Sequence, residues 1–274
     1  MAEIHTSPDT LPAVSTRMHT PGGTALQGLG RTSRRDFWWL QPGIVAAGFG
    51  AFIVYSLFSA LVWQPMFHVP YEVDGYLSPF FSPLIQPNWL PWWISPAVLI
   101  LWIPLGFRTT CYYYRKAYYR SYFADPPACA VGEPTIHRRY AMERAFPFIL
   151  QNIHRYFLYL AFIPLLFLWI DALYSFVNTG PRFGLGGLVL LVNAGLLTGY
   201  SFSCHSLRHI VGGRLDCFSC SSLARVRYRA WQRLTGLNQD HMLWAWVSLV
   251  SVALADLYVR LLAWGVLVDP AIRL

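Results

Sequence analysis

Charged residues are scarce in this chain. They make up only 12% of its 274 residues, whereas soluble globular domains carry about 25%. Hydrophobic residues make up 55% and aromatic residues 17%, which is typical of a protein with aromatic belts at two membrane interfaces. The composition therefore excludes an ordinary soluble domain and predicts an all-α polytopic membrane protein.

Cysteine is also scarce, and the first forty residues contain no long apolar run. The five cysteines are an odd number and are clustered, which excludes a secreted disulfide framework. Without an apolar segment near its start, the chain shows no cleavable signal peptide. We predict a disordered polar cytoplasmic tail over residues 1–36 and a transmembrane anchor domain over residues 37–274.

Five stretches are long and apolar enough to cross about 30 Å of hydrocarbon as helices. They cover residues 43–63, 94–112, 153–177, 185–209 and 242–268. The fourth stretch ends close to Gly212-Gly213, which is a good helix stop. The sequence thus predicts a five-helix transmembrane bundle.

Basic residues lie almost entirely on one side of these predicted spans. The loop from 64 to 93 has no Lys or Arg, whereas the tail and the segments after the second and fourth spans are rich in arginine. The positive-inside rule places the N-terminus inside and the C-terminus outside, in the cell's inner (plasma) membrane. Membrane lipid is therefore the expected surrounding, and the net charge of +8 needs no nucleic acid partner. The aromatic loop itself predicts an apolar flap on the outer surface.

Cysteine and histidine gather on the predicted inner side. His205 and His209 are four residues apart, so both imidazoles share one helix face. Cys217 and Cys220 follow as a C-x-x-C pair, which can bind a metal ion through two thiolates. Further candidates in the same layer are Cys204, His154 and His241. A lone cysteine is commonly an apolar filler; this role suits Cys129, whereas Cys111 suits a filler and a ligand equally.

The ligand types leave the metal open. Two Cys and two His can hold a structural zinc ion. They can also hold a [2Fe–2S] cluster of Rieske type, in which Cys binds one iron and His the other. A single haem b between two inner histidines is a further alternative. Two haems would need four histidines as axial pairs, and the first two predicted spans contain none.

Five segments together resemble the membrane-anchor subunit of actinobacterial succinate dehydrogenase (respiratory complex II), of the five-span type without a recognised haem pattern. They read FRTTCYYYRKAYYR (107–120), QNIHRYF (151–157), CHSLRHIVGG (204–213), DCFSC (216–220) and DHMLWAW (240–246). The resemblance implies a subunit of succinate:quinone oxidoreductase, with succinate oxidation on partner subunits. A flavoprotein oxidises succinate, an iron–sulfur subunit docks on the basic inner face, and the anchor passes electrons to quinone.

The resemblance also implies a Rieske-type [2Fe–2S] cluster within the membrane part. We expect Cys217 and Cys220 to hold one iron and His205 and His209 the other. The alternates are Cys204, His154 and His241. Hydrogen-bond donors expected near quinone are His241, Arg208, Tyr113, Tyr114 and Trp244. The aromatic members of that group also suit an inner interfacial belt.

Three ionisable residues interrupt the apolar stretches, namely Asp171, Asp256 and Arg260. At about 1.5 Å per residue, they fall at a similar depth in the outer half of the membrane. Intramembrane charges are generally paired or functional. We expect a buried Asp–Arg pair that locks the third and fifth spans together, and part of a proton path is the alternative.

Three functions follow from these patterns. The favoured one is the electron-transfer anchor of succinate:quinone oxidoreductase. A haem b cytochrome of a related oxidoreductase would instead show a sharp α band when reduced. A membrane scaffold or transporter with structural zinc would contain zinc as its sole metal.

Overall fold

The structure, a computed structural model, describes residues 28–132, 144, 146, 148–178 and 182–273. Its helices are α1 (Leu40–Leu57), α2 (Gln64–Phe67), α3 (Val98–Thr109), α4 (Tyr112–Tyr122), α5 (His154–Tyr174), α6 (Leu185–Phe202), α7 (His205–Gly212), α8 (Ser222–Gln239) and α9 (His241–Ala263). Two antiparallel strand pairs join β1 (Glu72–Val73) to β2 (Tyr76–Leu77) and β3 (Arg182–Gly184) to β4 (Ala271–Arg273). The predicted all-α class is confirmed.

Four helical segments among the described residues are long and apolar enough to cross a membrane. They are Leu40–Trp63, in which α1 continues through a π-helical turn, and Ile149–Tyr174, Leu185–Phe202 and His241–Ala263. The second predicted span corresponds to α3, whose 12 residues include Pro104. Twelve residues rise only about 18 Å as a helix, less than the hydrocarbon thickness of about 30 Å. The count of five spans therefore stays a prediction.

Two apolar helices end in the same way, at a hydroxyl residue followed by a cysteine. Thr110 follows α3 and Ser203 follows α6, both in helical conformation. The next residue is extended in each case, with φ −64° and ψ 130° at Cys111 and φ −63° and ψ 133° at Cys204. A new helix begins directly after each cysteine. The predicted fourth span, 185–209, is thus two helices because the backbone turns at Cys204.

Helix packing forms a bundle with a polar layer near each end. α6 packs against α5 and α9, α3 packs against α5, and α1 packs against α4 and α9. We define the cysteine–histidine end by Cys111, Cys204, His154 and His241, and the aspartate–arginine end by Asp256 and Arg260. Ser78, before α3, bonds Asp256, and Thr110, after α3, contacts His154. The chain therefore passes between the two ends through α3.

The aromatic loop before α3 enters the bundle in its first half. Tyr76 and Phe81 are fully buried, and Phe80 is almost so. The Tyr76 hydroxyl donates to Asp269 Oδ2 at 2.6 Å, which ties this loop to the segment after α9. The second half stays exposed, including Trp89 and Trp92. The expected surface flap is therefore restricted to the second half of the loop.

The predicted tail divides into two parts. Residues 1–27 lie outside the described residues. Residues 28–36 run along the loop after α4: Gly132 N donates to Arg31 O at 2.7 Å, and Thr32 Oγ1 donates to Ala130 O at 2.7 Å. The segment just before α1 is thus attached to the loop after α4 through backbone groups and the Thr32 hydroxyl.

Candidate functional site

Four side chains at the cysteine–histidine end meet as two Cys–His pairs. Cys111 Sγ lies 3.4 Å from His241 Nε2, and Cys204 Sγ lies 3.2 Å from His154 Nε2. Both thiols are buried and both imidazoles are half-buried. Each cysteine follows a helix break, and each histidine begins a long helix, so the pairs join four separate elements.

Hydroxyl groups fix the orientation of both imidazoles. Thr110 Oγ1 donates to Gly106 O at 2.6 Å and lies 2.9 Å from His154 Nδ1. Because its hydrogen points to the carbonyl, the hydroxyl oxygen accepts from Nδ1–H. Ser203 Oγ donates to Tyr200 O and lies 2.7 Å from His241 Nδ1, which gives the same arrangement. Both Nε2 lone pairs are therefore directed at a cysteine sulfur, as in second-shell support of a metal ligand.

Aromatic rings cover the two histidines. The ring of Phe107 stacks on His154 with centroids 4.8 Å apart, and the ring of Tyr200 stacks on His241 at 5.3 Å. The Tyr200 hydroxyl is buried close to the thiols of Cys111 and Cys204, and in the described part of the chain it has no partner other than a weak interaction with the Cys111 sulfur. A buried donor with so weak an acceptor is effectively orphaned, which is uncommon and costs free energy unless a better acceptor is supplied.

Arg108 is a site residue that the sequence analysis did not single out. Its guanidinium carbon lies 4.7 Å from the centroid of the Tyr200 ring. It also donates to the Tyr114 hydroxyl and, at 3.1 Å, to Ser248 Oγ. One signal could have identified it, because this arginine ends an apolar helix three residues before Cys111. The guanidinium places a positive charge near Cys111 and His241, one of the two Cys–His pairs.

The first predicted ligand set is not assembled by the structure. Cys217 and Cys220 are joined to each other by a disulfide, so neither offers a thiolate. His205 and His209 do share one face of α7, with ring centroids 5.2 Å apart. Desolvation, followed by the charges of His209 and Arg208, lowers the pKa of His205. The ligand set therefore stays a prediction, and the alternates Cys204, His154 and His241, together with Cys111, are the side chains that form Cys–His contacts.

No three His, Cys, Asp or Glu side chains among the described residues are grouped to hold a single metal ion. The two Cys–His pairs are nevertheless neighbours, because the thiols of Cys111 and Cys204 belong to one buried cluster that also contains Tyr200. The site thus consists of two adjoining pairs, and each pair supplies one sulfur and one nitrogen.

The predicted quinone residues separate into two groups. Tyr113, Tyr114 and Trp244 pack in the hydrophobic cluster that contains both thiols, beside His241. The Tyr114 hydroxyl donates to Ala245 O at 2.6 Å, and Tyr113 accepts from Trp246 Nε1 at 2.6 Å. Arg208 instead belongs to the packing of α7 on α8. Its Nε donates to Thr235 Oγ1 at 2.9 Å and its guanidinium covers Trp231.

The aspartate–arginine end contains a dense hydrogen-bond network. Asp256 and Arg260 are both fully buried, with Arg260 Nε 3.4 Å from Asp256 Oδ1. Asp256 accepts from three hydroxyls, those of Tyr55, Ser59 and Ser78. The two Nη atoms of Arg260 donate to the carbonyls of Ser59, Val69 and Pro70.

This network differs in one respect from the predicted Asp–Arg pair, which was expected to join the third and fifth spans. The buried Asp–Arg pair exists, but both partners lie on α9, one helical turn apart. Asp171 on α5 accepts from Ser82 Oγ instead. The ion pair therefore fastens α1 and the aromatic loop to α9, because Tyr55, Ser59 and Ser78 come from those segments. It does not join α5 to α9.

Comparisons with known proteins agree with this architecture. Residues 40–265 match the family model described as actinobacterial succinate dehydrogenase subunit SdhC. A chain of the Mycobacterium smegmatis Sdh1 complex in its apo form has a similar structure, with a TM-score of 0.78 and 41% sequence identity. The similarity covers 90% of this chain and 96% of that one. No curated protein matches the chain at a significant level.

Proposed function

Because this chain belongs to the family of actinobacterial succinate dehydrogenase SdhC subunits, we propose that it anchors a complex II and passes electrons from the partner subunits to quinone. The partners are a flavoprotein that oxidises succinate and an iron–sulfur subunit that docks on the anchor. Membership of a succinate dehydrogenase complex rests on the family match and on the likeness to the Mycobacterium smegmatis Sdh1 complex. A single observation carries the electron-transfer role. The buried thiol of Cys111 lies against the imidazole of His241, and the buried thiol of Cys204 lies against that of His154.

The donor set suits a binuclear iron–sulfur cluster. A [2Fe–2S] cluster of Rieske type takes two Cys and two His, with two protein ligands for each iron. The ligands that we propose are Cys111, Cys204, His154 and His241. The orphaned hydroxyl of Tyr200 supports this fit, because cluster sulfur atoms accept hydrogen bonds.

Each part of the surrounding site has a role in this proposal. When bound, such a cluster supplies one-electron transfer at a potential that histidine ligation raises. Thr110 and Ser203 hold the two imidazoles in the orientation that exposes Nε2. Phe107 and Tyr200 cover the rings and keep water away. Arg108 adds a positive charge, which favours an electron-rich state of the site.

Quinone is proposed to bind against the same cluster of residues. Tyr113 and Trp244 are half-buried at its edge, where the neighbouring Tyr112 and Leu243 are exposed. The edge therefore offers aromatic surface to a planar ring and opens towards lipid. The quinone residues that we retain are Tyr113, Tyr114 and Trp244, because both ring nitrogens of His241 are already assigned, Nδ1 to Ser203 and Nε2 to the proposed cluster. Arg208 is omitted because its contacts are with α8.

We further propose five membrane crossings, with the cysteine–histidine end facing the cytoplasm. α3 connects residues that contact opposite ends of the bundle, which supports its role as the fifth crossing. Nearly all arginines flank the cysteine–histidine end in sequence, which supports the inside assignment. The iron–sulfur subunit would then dock beside the proposed ligands.

The test is to co-express this chain with its partner subunits and purify the complex. Low-temperature EPR and iron analysis would be compared between His154→Ala or His241→Ala and the unchanged complex. We expect the membrane cluster signal to disappear and quinone reduction to fall at least about tenfold. Succinate oxidation with a soluble dye should remain, because that chemistry lies on the flavoprotein.

The matched controls are His205→Ala and His209→Ala, since these imidazoles lie near the same end but make no hydrogen bond to either Cys–His pair among the described residues. We expect both variants to retain the signal. Loss of the signal in the controls alone would restore the ligand set first predicted from the sequence. A sharp α band in the reduced spectrum would replace the cluster with haem b, and zinc as the sole metal would remove the electron-transfer role.

A further inference from the structure

The disulfide between Cys217 and Cys220 is not used by the proposed cluster. It lies in the loop between α7 and α8, and Cys220 is exposed while Cys217 is half-buried. The two cysteines are three residues apart, so the disulfide closes a small loop around Phe218 and Ser219. An exposed C-x-x-C with both sulfurs within bonding reach is the arrangement found in reversible thiol–disulfide couples.

Electrostatics around this pair favour thiolate chemistry. Cys220 directly precedes Ser221, the N-cap of α8, whose Oγ accepts from Ala224 N. The positive end of the helix dipole therefore lies beside the pair. α8 carries four arginines and no carboxylate. Cysteines at a helix N-terminus among basic residues are the ones that ionise and exchange readily.

The loop that the disulfide closes is connected to the candidate site. The Phe218 ring stacks on Tyr228 with centroids 4.5 Å apart, and Tyr228 stacks on Trp231 at 5.9 Å. Trp231 in turn is covered by the guanidinium of Arg208 on α7. α7 begins directly after Cys204, and α8 ends two residues before His241. The α7–α8 hairpin therefore lies between two of the proposed ligands.

We propose that Cys217 and Cys220 are a reversible thiol–disulfide switch that exchanges with soluble thiols and disulfides of the cytoplasm and controls the order of the α7–α8 hairpin. The cytoplasmic location rests on the orientation in the proposed function. Disulfides on that side of a membrane are usually transient and redox-responsive, because the compartment keeps thiols reduced. The disulfide form holds Phe218 against α8, and the dithiol form releases it.

The external disulfide is the oxidant in this exchange, so atoms and electrons balance without any further reactant. In the oxidising direction the Cys220 thiolate attacks one sulfur of an external disulfide, forming a mixed disulfide and releasing the other sulfur as a thiolate. The Cys217 thiolate then attacks the Cys220 sulfur, which closes the internal disulfide and expels the second external thiolate. Two cysteine protons and two electrons leave the chain, and one external disulfide becomes two thiols. Reduction reverses each step.

The experiment uses the purified intact complex in lipid nanodiscs, equilibrated in mixtures of reduced and oxidised glutathione. Free thiols are alkylated and each cysteine is quantified by peptide mass spectrometry. We expect Cys217 and Cys220 to change together from almost fully labelled to almost unlabelled as the buffer becomes oxidising. Hydrogen exchange at the first turns of α8 should be several-fold faster in the reduced sample, because Phe218 no longer packs on Tyr228.

Cys129 provides the internal control, because it is exposed and has no partner thiol, so oxidised glutathione can convert it only to a mixed disulfide, which its peptide mass distinguishes from an internal disulfide. The Cys217→Ser/Cys220→Ser variant should exchange at the start of α8 at one rate in all mixtures. A pair that stays oxidised in reduced glutathione, a pair that retains zinc, or exchange that is independent of the buffer would each overturn the switch. EPR on the same samples separates the two proposals. An unchanged cluster signal in the double serine variant, together with glutathione-dependent labelling of Cys217 and Cys220 in the unchanged complex, supports the switch even if the histidine variants reject the ligand set.

Discussion

The two polar layers of this bundle are built on opposite principles. At the aspartate–arginine end, Asp256 and Arg260 exchange hydrogen bonds with three hydroxyls and three carbonyls, and the charges cancel within one helical turn. At the cysteine–histidine end, two thiols and two imidazole lone pairs face one another, and within the described residues the Tyr200 hydroxyl has no partner other than the weakly accepting Cys111 sulfur. At the aspartate–arginine end, Arg260 Nε makes no hydrogen bond within the described residues, but it lies 3.4 Å from Asp256 Oδ1. A layer of paired charges stabilises the fold, whereas a layer with free lone pairs can bind another group.

The energetic reason lies in the low dielectric of the bundle interior. A buried charge is tolerated only when it is paired and hydrogen-bonded, so Asp256 and Arg260 need each other and most of their hydrogen-bond partners to remain buried. Thiols and neutral imidazoles are far less costly to bury. They can therefore remain without strong partners until a bound group uses their lone pairs.

The largest effect is expected when the buried ion pair between Asp256 and Arg260 is removed. Arg260→Met leaves the carboxylate of Asp256 buried without its cation, at a cost of about 3–5 kcal/mol. The measurement is the yield and thermal unfolding of the purified complex. Asp256→Asn combined with Arg260→Met removes both charges and should recover part of the loss. Equal instability of the single and double variants would show that the charge pairing is not what stabilises this end.

A matched pair of glycines on α6 compares the two ends directly. A Cβ on Gly186 would lie 2.7 Å from the ring of Tyr76, and one on Gly199 would lie 2.4 Å from the ring of Trp244. Each substitution to Ala should cost about 1–3 kcal/mol through overpacking. Only Gly199→Ala should also weaken the EPR signal of bound iron. Gly195→Ala has open space around it and is the neutral control. An equal loss of iron signal in Gly186→Ala would mean that the two ends are not independent.

A smaller and more selective effect is expected from the hydroxyls that orient the imidazoles. Thr110→Val and Ser203→Ala each remove the acceptor for a histidine Nδ1–H and should lower iron retention about 10- to 100-fold during chelator challenge. Thr109→Val is the matched control, because the exposed Thr109 hydroxyl bonds only carbonyls of its own helix. If the control and Thr110→Val lose iron at the same rate, the hydroxyl does not act through His154.

The smallest effect is expected for Tyr200→Phe. Removing a buried hydroxyl that has only a weak acceptor should leave thermal stability without bound iron unchanged or raised by up to about 1 kcal/mol. With iron bound, the lost hydrogen bond should shift the midpoint of the cluster in an EPR redox titration. Tyr114→Phe is the control, since the Tyr114 hydroxyl has two partners and its loss should destabilise the fold. An unchanged midpoint in Tyr200→Phe would remove this hydroxyl from the site.

Much of the architecture follows from the sequence alone. Apolar length identified four of the spanning helices, since their composition leaves no other way to bury the backbone. The family resemblance, based on segments around Cys111, His154, Cys204 and His241, was confirmed by the family match. Burial of Asp256 and Arg260 was also predictable, because a lone charge inside a membrane needs a partner.

Only the tertiary structure decided which side chains meet. Spacing along the chain favoured His205 with His209 and Cys217 with Cys220, because residues that are close in sequence are the pairs a pattern can detect. The structure instead brings Cys111 to His241 across 130 residues, and Cys204 to His154 across 50. Two helices break at a hydroxyl–cysteine step and two others begin at a histidine, and helix packing brings these four points together. Periodicity fixes which face of a helix is apolar, but it carries no information on which helix end lies opposite another.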